Sequence, residues 1–86
     1  MHELSVINNL LKILEKIQEE QQAAEFLTIK LTVNPYSCID GENLNFIFRS
    51  MTKDRPLYKN SRIHIQRGND PAAREFILDS VELSLP

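Results

Sequence analysis

The sequence predicts an α/β (α+β) fold of order α-β-α-β-β, with two helices packed on one face of a three-stranded mixed sheet. Three observations predict it. Apolar residues recur at helical spacing in two stretches, they alternate in three others, and proline, asparagine and glycine signals fall between them. At 86 residues the chain has room for one core, so 1–86 reads as a single domain.

The first helix is expected over 4–22, where Leu4, Ile7, Leu11, Leu14 and Ile17 form a stripe that Leu10 and Ile13 widen. Asn8, Lys12, Glu15 and Glu19 occupy the opposite face. Surface pairs such as Lys12–Glu15 add only about 0.2–0.5 kcal/mol each, so the stripe must pack on a sheet to hold the helix.

From Phe26 to Val33 the period becomes two. Leu27, Ile29, Leu31 and Val33 are expected to face the core, with Thr28, Lys30 and Thr32 on a wetter face. Asn34-Pro35 ends the strand, because proline cannot donate to a ladder. Asp40 is the natural N-cap of a second helix, expected from about Gly41 to Lys53 with Leu44, Ile47, Phe48 and Met51 as its stripe. Arg55-Pro56 closes it, since a residue before proline avoids the helical region.

A second strand is expected over Ser61–Arg67, with Ile63 and Ile65 inward and His64 on the wetter face. Gly68-Asn69-Asp70-Pro71 signals a turn. The third strand, over Arg74–Leu85, slips register: Phe76 and Leu78 share one phase, Val81, Leu83 and Leu85 the other. A bulge near Asp79-Ser80 would bring all five to one face. The helix joining the first two strands predicts a parallel pair with a right-handed crossover, and the short last loop predicts an antiparallel hairpin. The exposed sheet face and edges make a homodimer an expectation.

Bulk chemistry excludes several roles. The net charge is −2 and the 10 Lys and Arg are scattered, which argues against a nucleic-acid partner. Cys38 is the single cysteine, so no disulfide and no CxxC zinc site can form; it is expected to be reduced and partly buried, as in a cytoplasmic protein. Polar residues interrupt every apolar run, so no membrane span and no signal peptide are expected. With no Ser-His-Asp arrangement and no glycine-rich phosphate loop, an enzyme is not expected.

One cluster stands out. In Met1-His2-Glu3-Leu4-Ser5 an α-amine, an imidazole and a carboxylate share the mouth of the first helix. The amine, the His2 amide nitrogen and the imidazole can chelate one ion, and such nitrogen-rich, near-planar ligation suits Ni(II) or Cu(II). Alone the cluster is unspecific, since Met-His openings arise by accident.

This opening, followed by Val6-Ile7-x-x-Leu10-Leu11, resembles the start of the HypA/HybF nickel-incorporation proteins of hydrogenase and urease maturation. Leu44-x-Phe46-x-Phe48 and the run from Arg74 to Leu83 are similar to later parts of that family. The resemblance covers Met1 to about residue 67 and resumes at Arg74. It implies a nickel-binding accessory protein, with Ni(II) held by the Met1 amine, His2 and Glu3, and Asp40 a further candidate near the metal. It also implies a HypB-type GTPase and a hydrogenase large subunit as partners. Histidine at position 2 is too bulky for ready methionine removal, so Met1 is expected to be retained.

Two departures accompany the resemblance. The family's zinc-binding segment, built on two CxxC pairs, is replaced by the short turn 68–73, so no zinc is expected. Asn34-Pro35 stands where a Gly-Glu pair often follows the family's first strand. These departures motivate the competing expectation of a metal-free protein-interaction or regulatory module.

Overall fold

The computed structural model describes residues 3–86. Helix α1 spans Glu3–Gln21 and packs through Val6, Ile7, Leu10, Leu11 and Leu14. No glycine marks its end. Gln22 takes the left-handed conformation there (φ 50°), and the Gln18 carboxamide both accepts from Ala23 N at 2.9 Å and donates to Ala23 O at 3.0 Å. That pair of hydrogen bonds turns the chain within three residues into strand β1, Glu25–Val33.

Helix α2 spans Gly41–Thr52 behind the Asp40 cap, and a 3-10 turn follows at Pro56–Tyr58. Strand β2 spans Arg62–Arg67 and strand β3 spans Phe76–Ser84. The sheet order is β2-β1-β3, with β1 parallel to β2 and antiparallel to β3. The expected mixed sheet and the parallel β1–β2 pair joined through a helix are present, but the expected hairpin is not: β3 pairs with β1 instead of β2. The outer backbone of β2 is engaged by α2, where the Asn45 carboxamide accepts from Ile63 N and donates to Ile63 O, both at 2.8 Å. The free edge of β1 is therefore the place left for β3. To reach it, the connection crosses the end of β1, tied by Gly68 N to Val33 O at 2.8 Å and by Asn34 N to Glu75 O at 3.0 Å. The Asn34 side chain also donates to Pro71 O and Ala73 O.

The core lies between β1 and the two helices. Phe26, Ile29, Leu31 and Val33 are buried to within 1%. Leu27, expected inward, is only half-buried, and Phe26 takes its place because β1 slips register against β3 between Phe26 and Ile29. A second irregularity places Lys30 opposite Ser80 but Leu31 opposite Leu78, which leaves Asp79 as the extra residue near the position expected for the bulge. In α2 the buried stripe is Leu44, Phe48 and Thr52, while Met51, expected inward, is 38% exposed. Thr52 replaces it because its hydroxyl is satisfied by Phe48 O at 2.8 Å. Tyr58 enters the core from the 3-10 turn, stacked on Phe26 at 5.7 Å and edge-on to Phe48 at 5.5 Å.

Candidate metal site at the helix N-termini

Both helices run against β1. The turn at Gln22–Ala24 reverses α1 into β1, and α2 must travel back to start a strand parallel to β1. The N-termini of α1 and α2 therefore share the end of the molecule where β1 and β2 finish. Helix N-termini leave their first N–H groups without intrahelical acceptors. The described part of α1 opens at Glu3, half-buried, with Leu4 and Ser5 exposed beyond it. Val6 and Ile7, fully buried, fix the first turn to the core.

Met1 and His2, the first two of the expected nickel ligands, lie outside the described residues. Asp40, the further candidate, is extended (φ −104°, ψ 127°), its carboxylate accepting from Asn43 N at 3.2 Å and its carbonyl from Leu44 N at 2.9 Å. It serves as an N-cap. One carboxylate oxygen of this exposed residue is engaged by the cap.

The loop between β1 and α2 is held by its own polar groups and by Glu75 and Arg67 from outside it. Asn34 Oδ1 accepts from Tyr36 N at 2.9 Å, and Ser37 Oγ donates to Glu75 Oε1 at 3.1 Å. Arg67 donates to Ser37 O at 2.7 Å and to Ile39 O at 3.4 Å. Cys38, expected partly buried, is exposed instead, because Ile39 takes the inward place beside it. His64 stands on the exposed sheet face as expected, in register with Lys30 and next to a shallow hollow lined by Gln66 and Asp79.

Among the described residues no three His, Cys, Asp or Glu side chains come together to hold a metal ion. Glu3 and Asp40 thus offer oxygen donors at the same end but no closed site by themselves. Two residues that shape this fold were not singled out from the sequence. Asn45 gave a signal, being a poor helix former in mid-helix. Tyr58 gave none beyond its aromatic character.

Comparison with known proteins places these features. A family model described as "Hydrogenase/urease nickel incorporation, metallochaperone, hypA" matches residues 1–73. The fold is similar to the solution structure of the Ni metallochaperone HypA from Helicobacter pylori, with a TM-score of 0.79, 17% identity and 100% of both chains covered. No curated protein sequence matches the chain. The structural likeness extends over β3, which lies beyond the family-model match.

Proposed function

The chain belongs to the HypA family of hydrogenase/urease nickel-incorporation metallochaperones, and from that premise we propose that it holds Ni(II) at its N-terminus and passes it to a metalloenzyme under assembly. The observation that carries this reading is that the family match begins at residue 1 and so includes Met1-His2-Glu3. The Met1 amine, the His2 amide nitrogen and the His2 imidazole supply three nitrogens, and Glu3 adds its own amide or its carboxylate. Glu3 opens the described part of α1, and the first N–H groups of a helix lack intrahelical acceptors, so deprotonation of its amide costs no helix hydrogen bond. The positive end of the helix dipole disfavours a cation; deprotonated amides and the Glu3 carboxylate offset it.

The ion is cargo, and the role is binding and delivery with no chemistry performed on a substrate. A HypB-type GTPase and a hydrogenase large subunit are the partners this reading names. The turn 68–73 takes the place of the family's zinc segment, so the purified protein is expected to carry no zinc. No described helix is long and apolar enough to cross a membrane.

Calorimetric titration of untagged protein with Ni(II) tests the reading, with mass spectrometry confirming that Met1 is the first residue. Saturable binding is expected, lost in His2→Ala and weakened on acidification through roughly pH 6–7 as the imidazole protonates. Equal heats from the native protein and His2→Ala would end the proposal.

A further inference from the structure

The two edges of the sheet are treated differently. The edge of β2 is engaged by Asn45, which takes both backbone groups of Ile63. The edge of β3 has no such cover. Ser84 turns its carbonyl toward β1, accepting from Ala24 N at 2.7 Å, and Glu75 does the same with Asn34 N at 3.0 Å. Alternation then directs the backbone groups of Phe76, Leu83 and Leu85 away from β1. Among the described residues no helix, loop or side chain bonds to them.

The core also opens toward this edge. The inward residues of β1 are fully buried, whereas Phe76, Leu78, Val81 and Leu83 are only half-buried. Ile13 of α1 (39% exposed) and Ile77 (47%) flank a groove of about 360 Å³ along the same strand. Apolar area and unpaired backbone thus coincide.

Charge selects the occupant. Residues 75–86 carry Glu75, Asp79 and Glu82 and no Lys or Arg. Edge strands that resist pairing usually bear lysine or proline, and β3 has neither. A second copy would bring a second set of these carboxylates to the same edge, and like charges placed across a ladder are destabilising. A basic strand would meet complementary charge.

We propose that the outer edge of β3 is a docking strand for an extended segment of a partner protein in which apolar residues alternate with Lys or Arg. The partner's backbone extends the ladder, its apolar side chains continue the row of Phe76, Leu78, Val81 and Leu83 beneath α1, and its basic side chains meet Glu82. This binding requires no metal and stands apart from the nickel site.

The test is fluorescence anisotropy in the presence of EDTA, using a capped, labelled peptide of alternating Val and Lys as long as the nine residues of β3. Saturable binding is expected, weaker by about tenfold or more when alternate peptide amides are N-methylated, because ladder donors are then lost. Glu82→Lys, an exposed substitution, should weaken binding of the Val/Lys peptide and strengthen that of a Val/Glu peptide. Absence of binding, or equal affinity for the N-methylated peptide, overturns the proposal. So does a dimer in sedimentation whose Leu83 and Leu85 amides are protected from exchange, since that assigns the edge to a second copy.

Discussion

The Asn45 carboxamide and the Ile63 backbone form a closed pair, with Nδ2 donating to Ile63 O and Oδ1 accepting from Ile63 N, each at 2.8 Å. A helix side chain here does the work of a neighbouring strand. Gln18 treats Ala23 in the same way at the end of α1. Both amides satisfy backbone groups that turns and sheet edges leave unmade.

Asn45→Ala should therefore do two things. It removes both partners of Ile63, at a cost of about 1–3 kcal/mol if those groups stay out of water. It also reopens the β2 edge. Chemical denaturation should show the loss, and hydrogen exchange should show the Ile63 amide becoming labile while Phe26 and Ile29 stay protected. Unchanged exchange at Ile63 would mean that the bond pair contributes nothing to closing the edge.

Tyr58 makes the opposite prediction. Its hydroxyl is buried and has no hydrogen-bond partner among the described residues. Burial raises its pKa above the ordinary phenolic 10.0; Arg55 opposes this and Glu15 adds to it. A phenol raised on folding binds its proton more tightly in the native state, so stability is complete below pH 10 and falls as pH rises through the folded pKa. Tyr58→Phe keeps the stack on Phe26 and the edge-on contact with Phe48, and should leave stability unchanged or raise it by about 1–2 kcal/mol near neutrality. It should also flatten the alkaline limb of the stability curve, which is measured by urea titration at several pH values between neutrality and 11.

The register of β1 is tested by three alanine variants. Leu31→Ala should cost about 2–5 kcal/mol and Phe26→Ala about 3–5, since both side chains are fully buried. Leu27→Ala, at a half-buried position, should cost clearly less than either. A ranking with Leu27 above Phe26 would restore the strict alternation that the sequence suggests.

That contrast shows what was legible in the chain. Helix α1, the Asp40 cap, the parallel β1–β2 pair and the bulge at Asp79 all follow from local patterns: period, capping and slipped alternation. The place of β3 does not, because it depends on which edge remains free after Asn45 has docked, a contact between residues 18 positions apart in sequence. The Phe26–Leu27 exchange was hidden for a similar reason, since two adjacent apolar residues look alike until a partner strand fixes the slip. At the chain start, residue types offered Met1, His2 and Glu3 only as candidate donors, and it was the family resemblance that singled them out. The shared end of the two helix N-termini required the topology.

Asp40 offers the sharpest separation of a structural role from a metal role. Asn caps a helix about as well as Asp, and either is preferred to Ala by about 1 kcal/mol. Asp40→Asn should therefore keep the bond to Asn43 N and leave the melting temperature unchanged, while Asp40→Ala lowers it. If Asp40 also supplies an oxygen to Ni(II), Asp40→Asn removes the anionic donor without disturbing the fold, and nickel affinity falls while stability holds. The bond to Asn43 N accounts for the carboxylate without a metal, so the expected result is unchanged nickel affinity in Asp40→Asn. Calorimetry on this variant beside His2→Ala decides it. Loss in His2→Ala alone confines the ligands to the first residues of the chain; loss in both extends the site to the mouth of α2.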